Sequence, residues 1–563
     1  MPSAVSSTIV RDPATGALWV TSPDDDALVE IDAGDGSERS RIAVPGEPQE
    51  LSRVDDAWLV TLGRRGAVAR VRGTAVDEIA VPCASTRAVA SLEGRTFVTC
   101  PDDDRVVEIE AGAGEVVRVL DVPGEPTALA IVGTTLAVTT ARGRSIVRVD
   151  LESLEMPVRA QPLEVEGGRA ASQPSALAVE AHGGLVAIYQ SVANDGPRDL
   201  PPESGGYGAL VDGAPRIEPR VHGPCGDRYA RFDGGELAMS GPSAVAIAGG
   251  LLWIANLSTD NVLVARCSPA SDAPATGTLD VLATFRVGRA PRGLALSEDG
   301  RTAYVDVGFD WAVARLDAPA SRAPSRLEAT WTRRRTTGTT HLSAAALRGR
   351  SLFFDAVDTH LTPSGVVTCG TCHPRGGDDG LSWFLHTPNV PRKVRRTPPA
   401  WGGRPALAPY HWDGAFDDAA TLAQTTTHEL MNGDGLLVAF DDVAAYLEEL
   451  APPPARAPDD ASAAEHGAAL FASAGCAACH GGPSLTDGLA HASVIPVSTD
   501  PDAVLASVET PTLLSVRTHP PFFHDGSAAT LRDTIRVPGD THGTTDALTD
   551  AEIDDLVVYL ESL

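Results

Sequence analysis

Val20-Thr21, Val60-Thr61, Val98-Thr99 and Val138-Thr139 recur at spacings of 40, 38 and 40 residues, each inside an apolar run that a polar turn and a second, alternating run follow. The phrases VTSPDDDALVEIDAGDG from Val20 and VTCPDDDRVVEIEAGAG from Val98 lie 78 residues apart, as do PGEPQELSRV and PGEPTALAIV. Alternating side chains broken by Gly, Pro and Asp turns predict about four short strands per ~40 residues, the period of a propeller blade. Looser copies from Gly183, Gly249 and Gly300 bring the expected count to seven blades over residues 1–325, with a long insertion at about 190–240 between blades five and six. Such periodicity reports core packing and carries no ligand signal, and Trp19, Trp58, Trp253 and Trp311 sit at strand positions that packing explains. The two PDDD turns read as solvated acidic corners.

From about residue 344 the period changes. AALRGRSLFFDA, FDDVAAYLEELAPPP, SAAEHGAALFASAGC and the terminal TDAEIDDLVVYLESL are helical phrases. In the last, Thr549 with Glu552 forms a capping-box pattern, and Ile553, Leu556, Val557 and Leu560 mark one face. The expected architecture is multidomain: an all-β seven-bladed propeller, a linker or blade-closing strand over 326–344, and two tandem, mainly α domains over 345–455 and 456–563.

Composition narrows the partners. The 563 residues hold 45 Lys+Arg against 75 Asp+Glu, a formal charge of −30, which disfavours nucleic acid and anionic membrane surfaces. No apolar run approaches the ~18 residues that a spanning helix needs.

Eight cysteines carry the chemistry, and four of them fall in two C-x-x-C-H units: Cys369, Cys372, His373 and Cys476, Cys479, His480. That unit reads as covalent c-type haem attachment through two thioethers, with the histidine as an axial iron ligand. A zinc site wants a second Cys or His pair at ligand spacing, and a redox C-x-x-C pair has no need of the trailing histidine. Two covalent haems are expected, with an exported, periplasmic location because attachment takes place outside the bacterial cytoplasm. No signal peptide is visible in the opening Met1-Pro2-Ser3, so a trimmed or mature form is expected. Cys83 with Cys100, and Cys225 with Cys267, are candidate disulfides.

The stretch RRTPPAWGGRPALAPYHWDGAFDDAATLAQ and the stretch ETPTLLSVRTHPPFFHDGSAATLRDTI resemble the paired loops of bacterial di-haem cytochrome c peroxidases and their MauG-type relatives, over about residues 345–563. The first part likewise resembles YVTN-type propellers. The resemblance implies that Trp412 bridges the haems, that Glu429 is the acid/base for peroxide cleavage, and that His386 ligates the first, peroxidatic iron at rest. The family's second distal ligand falls on Pro538, which cannot ligate iron; His542, four residues on, is the substitute, giving a bis-histidine haem. Met431 is a further candidate ligand. The resemblance also implies calcium between the haem domains, although no D-x-D-x-D-G loop is present.

The expected function is an exported di-haem oxidoreductase of peroxidase/MauG type. Hydrogen peroxide acts at the first haem, electrons come through the second, and the propeller serves as a docking platform. The donor is a small cytochrome or cupredoxin, or else the substrate is itself a protein. The alternative is an electron-transfer protein with two six-coordinate haems and a partner-binding propeller. A quinone-type dehydrogenase site in the propeller ranks third, because neither a blade-repeated Trp signature nor a metal-ligand cluster is present.

Overall fold

Each Val-Thr pair does two jobs in one strand. The valines at 20, 60, 98 and 138 are fully buried inside their blades, and the threonines beside them are equally buried but face the neighbouring blade. Thr21 Oγ1 donates to Gln49 O at 2.7 Å, in the entry strand of blade two, and Thr61 Oγ1 to Arg87 O at 2.5 Å, just before the entry strand of blade three. One dipeptide therefore packs a sheet and latches it to its neighbour, which is why the pair recurs with the blade period.

The computed structural model describes all residues except 1–2, 154–157, 164, 166–168, 195–205, 208–209, 212–213, 224–226, 230–238, 268–275, 324–325, 336–339, 404 and 493–499. Seven antiparallel-cored sheets follow one another round a ring, opening with Ile9–Arg11, Pro48–Val54, Val89–Leu92, Pro126–Val132, Ala170–Val179, Pro242–Ala248 and Pro291–Leu296. The N-terminal strand Ser3–Val5 does not join blade one; it pairs with the inner strand of blade four, Ser3 opposite Val132. Blade one closes on blade seven through an apolar cluster containing Ile9, Leu18, Tyr304 and Val313. Beside it Asp306, fully buried, binds Arg292 at 2.6 Å and Arg335 at 3.2 Å.

One placement differs from the sequence reading, and another resolves an alternative that it left open. The insertion interrupts blade five itself, between Leu185–Val192 and Ile217–His222, which pair directly. The stretch read as a linker or blade-closing strand holds strands: Leu327–Glu328, added to the edge of blade six, and Trp331–Arg334, the outer strand that closes blade seven. Cys83 and Cys100 form a disulfide and Cys267 is disulfide-bonded, while Cys225 lies outside the described residues.

The helical part is built twice on one plan. Helix α1 (Ala344–Phe353) packs on α4 (Phe440–Glu449), with α3 (Ala419–Glu429) beside it, and α5 (Ala461–Ser473) packs on α7 (Asp550–Glu561). Each crossing is made at a glycine: a Cβ on Gly349 would lie 1.8 Å from Asp442 O, and one on Gly467 2.1 Å from Asp555 O. Only a residue without a side chain lets the two backbones touch there. The C-x-x-C-H units follow α1 and α5, the first as the helical turn α2 (Cys369–Cys372). The loops before α3 and the short α6 (Leu531–Ile535) match at a constant offset of 112. They share cis prolines 409 and 521, bridges 410–416 and 522–528, and N-caps Asp418 and Thr530.

This helical part lies across one face of the ring and touches every blade. Asp24 accepts both terminal guanidinium nitrogens of Arg350 at 2.7 Å, Arg64 donates to Pro452 O, and the buried Asp103 carboxylate faces Arg456 and Arg517. Arg142 binds Asp378, Gln173 donates to Thr371 O, Ser258 O accepts from Ala356 N, and Arg289 reaches Ser351. The PDDD turns expected in solvent are thus docking corners. In each, the third Asp takes up left-handed backbone and caps the next blade: Asp26 accepts from Gly46 N and Glu47 N, and Asp104 from Gly124 N and Glu125 N.

Candidate functional site

A single cavity of about 600 Å³ reaches both C-x-x-C-H units. Cys369, Cys372, His373, Cys476, Cys479 and His480 all line it, and all four cysteines are free thiols, whereas Cys83, Cys100 and Cys267 are oxidised. The sorting of thiols into one apolar cavity and disulfides elsewhere is the fit that covalent haem requires.

His373 sits against Phe353, ring centroids 6.3 Å apart, in the cluster formed by α1, α3 and α4. Its Nδ1 is 3.2 Å from Gly377 O, so a proton donated there leaves Nε2 free as a metal ligand. Burial lowers its pKa and favours the neutral, ligating imidazole. Cys372, Leu430, Met431, Trp383 and Tyr207 belong to the facing cluster.

The second unit has a different geometry. The rings of His480 and His542 stand 6.3 Å apart and nearly perpendicular. Two imidazoles placed in this way are able to hold one haem iron between them. His542 Nδ1 lies 2.9 Å from Thr534 O, again directing Nε2 inward, and Phe523 packs against its ring. Burial, with His542 next, lowers the His480 pKa to about 4. Among the described residues no second histidine ring stands at this separation from His373.

Trp412 lines the cavity and donates from Nε1 to Arg396 O at 2.7 Å, while Arg396 N donates to His524 O at 2.7 Å. The backbone of one residue, Arg396, thereby ties together the two loops that repeat at offset 112. The Arg396 side chain joins a buried hub in which Asp378 is bound by Arg142 at 2.6 Å, Arg396 at 3.0 Å and His519 at 2.7 Å. Burial alone would raise the Asp378 pKa, but Arg142, Arg396 and His519 overcome it and hold the carboxyl well below its usual range.

Two residues suggested by the family resemblance are not brought into the cavity. The cavity face of α3 is Leu422, Ala423 and Thr426, continuing to Leu430 and Met431; Glu429, at the helix end, is half-buried outside that lining and makes no ion pair. His386 follows Ser382–Leu385 and also lies outside the lining, with Nδ1 buried and unpartnered.

Other lining residues gave no signal of their own in the sequence. Glu509 enters beside Trp412, and burial with the nearby Asp487 charge pushes its pKa up to about 8. It lay within the ETPT phrase, but nothing in that phrase reveals a buried carboxyl. Lys393 and Arg395 bring positive charge to the same wall. Tyr207 comes from the blade-five insertion, and burial raises its pKa well above the usual phenol range. Among the described residues the one group of Cys, His, Asp or Glu close enough to share an ion is Cys479, Asp487 and His491, which uses a haem-attachment thiol and is not an oxygen cage of the kind calcium takes. No helix of the described residues is long and apolar enough to cross a membrane.

Residues 464–563 match the Cytochrome c family, a span that holds the second C-x-x-C-H unit. The chain is 31% identical over 238 residues to the methylamine utilization protein MauG of Methylorubrum extorquens, covering 32% of this chain and 65% of that protein. It is 29% identical over 214 residues to the cytochrome-c peroxidase IdrP2 of a Pseudomonas species, covering 30% of this chain and 54% of that protein. The chain therefore spans less than two thirds of the length of either curated relative. Among solved structures, a hydrazine synthase chain of Kuenenia stuttgartiensis superposes with a TM-score of 0.46 at 17% identity, over 56% of this chain and 95% of that one.

Proposed function

We propose that this chain, with a cytochrome c domain at its C-terminus and MauG and a cytochrome-c peroxidase among its homologues, is an exported di-haem oxidoreductase that uses hydrogen peroxide at its first haem. The observation that carries the reading is the asymmetry of the two units in one cavity. His480 faces a second histidine ring 6.3 Å away, and among the described residues His373 faces none at that distance. Haem held by the first unit would supply peroxide chemistry, and haem held by the second would supply electron storage and relay.

The chain's own residues do the rest. Cys369, Cys372 and His373 hold the first group, and Cys476, Cys479, His480 and His542 the second. Trp412 places an aromatic ring in the cavity that both units share, fixed by the Arg396 carbonyl. Lys393 and Arg395 are placed to neutralise haem propionates. Exposed Ala477 and Ala478 leave the second attachment turn open to a donor, for which a small cationic cytochrome suits the −30 charge. With one ring face covered by the helical part, docking of a substrate or partner on the propeller falls to the opposite face or the rim.

A second reading has one observation in its favour. Met431 is buried in the wall facing the first site, where a thioether is able to complete a six-coordinate iron and make the protein an electron carrier. Electron paramagnetic resonance of the haem-loaded ferric protein, at rest and half-reduced, followed by stoichiometric peroxide, separates the two. The proposal expects one low-spin signal and one high-spin signal that peroxide consumes. Two low-spin signals indifferent to peroxide in every redox state would leave the electron carrier.

A further inference from the structure

Tyr207 alone among the residues lining the cavity belongs to the propeller; all the others lie at position 353 or beyond. Its placement is built from several independent contacts. Both ends of the blade-five excursion are stitched to Ser382–Leu385: Phe384 N donates to Asn194 O and Asn194 Nδ2 to Ser382 O, each at 2.9 Å, and Arg216 Nη2 donates to Phe384 O at 3.1 Å. Tyr207 N donates to Leu430 O at 2.7 Å. The chain can come so close because residue 206 is glycine, where a Cβ would lie 2.9 Å from that same carbonyl. The Tyr207 ring meets Trp383 edge-on at 5.2 Å, and Trp383 is locked by Asp379, which accepts from Nε1 at 2.9 Å.

All of this fixes the ring and leaves the hydroxyl without a hydrogen-bond partner among the described residues. Tyr207 is half-buried at the cavity wall and not sealed inside the protein, so its unpaired O–H is free for whatever fills the cavity. The wall around it, Val367, Leu385, Leu430 and Met431, has no side-chain acceptor better than a thioether, and Thr426 is the other hydroxyl on that side.

We propose that Tyr207 is the hydrogen-bond donor of the first haem pocket, its phenol O–H donating to the small ligand on the face of the iron opposite His373. This rests on the di-haem reading with an open first iron. The propeller is then part of the active site, adding a phenol to the apolar side formed by Val367, Leu385, Leu430 and Met431, from whose lining Glu429 is absent. Such a pocket favours ligands that accept a hydrogen bond, such as peroxide or fluoride, over one that accepts poorly, such as carbon monoxide.

The test is ligand binding by the haem-loaded full chain: fluoride to the ferric form and carbon monoxide to the ferrous form, in wild type, Tyr207→Phe and Thr426→Val. Loss of one hydrogen bond to an anion weakens binding roughly tenfold or more. Tyr207→Phe is expected to lose that factor for fluoride and to keep its carbon monoxide affinity within about twofold, while Thr426→Val changes neither. Unchanged fluoride affinity in Tyr207→Phe would overturn the proposal, and so would equal losses for both ligands, which mark a packing role. Loss confined to Thr426→Val would reassign the donor. A wild type that binds no fluoride, with its first iron low-spin, sinks the underlying open-iron, peroxide-using reading before any variant is compared.

Discussion

The two C-x-x-C-H units share a motif, a helix pair crossing at glycine and a repeated loop, yet their surroundings are opposite. Cys372 is 6% exposed and Thr371 4%, pressed between apolar clusters and bonded by Gln173 of the propeller, while Ala477 and Ala478 of the second unit are exposed. Burial pushes Cys369 up to about 11 and Cys372 well above its ordinary value; Cys476 and Cys479 are raised with less burial behind the shift. The difference is made by what covers each unit, not by the motif: a disc of seven blades turns one copy inward and leaves the other facing solvent. On the proposed reading the inward copy meets the oxidant and the outward copy meets the donor.

The sharpest way to break this contrast is at His542. In His542→Ala the second haem should pass from low to high spin, visible by electron paramagnetic resonance, and the two sites should become alike in coordination. An unaltered spectrum would remove His542 from the iron. Next in size is the hub that joins propeller and haem region. Arg142→Met leaves Asp378 with one guanidinium fewer in a fully buried setting, and removing one partner of a buried charge network costs about 3–5 kcal/mol. A fall in denaturant midpoint of that size is expected; a loss below about 1 kcal/mol would show that Arg396 and His519 suffice.

A smaller effect is expected at the rim of the same interface. Asp260 accepts from Ala290 N and faces Asp355 and Asp310, with Arg289 the nearby cation; burial first, then those carboxylates, push its pKa up to about 7. The folded pKa lies above the unfolded value near 3.9, so the favourable contribution is complete below about pH 4 and is lost as pH rises through about 7. Asp260→Asn keeps an acceptor for Ala290 N, so it should match wild type near pH 4 and exceed it by on the order of 1–3 kcal/mol at pH 8. Thermal unfolding across that range reads it, and parallel curves would reject the assignment. The smallest effect is expected at Glu429: outside the cavity lining, Glu429→Gln should change peroxide turnover less than about twofold, whereas abolished turnover would restore the role its spacing after Trp412 suggests.

What the sequence makes legible is whatever repeats or is local. The Val-Thr latch is visible because blades repeat it, the thiols and histidines of the haem units because five consecutive residues carry them, and the Thr549–Glu552 box because a cap involves one turn. Contacts between distant segments were out of reach. Nothing in PDDD says that Arg350, Arg456 and Arg517 will cover it, so the corners read as solvated. The blade-five insertion has no pattern tying Tyr207 to Leu430, 223 residues away by numbering, and Glu509 looks like any glutamate until the fold buries it. Family spacing pointed to Glu429 and His386, but a shift of one position at the end of α3 is enough to trade a carboxylate for Leu430 in the wall.

The cover over the first unit also constrains how the protein is made. The propeller precedes both helical domains in the chain, so on the exported reading the ring is able to fold before the rest of the chain has arrived. Thioether formation at Cys369 and Cys372 needs both thiols accessible to the attachment machinery, and in the finished molecule they are beneath blade five. On the proposed di-haem reading, the ring and the first helical unit have to stay apart until that haem is in place. Cys476 and Cys479 impose no such order. Maturation intermediates should accumulate with the second haem attached and the first missing, and not the reverse.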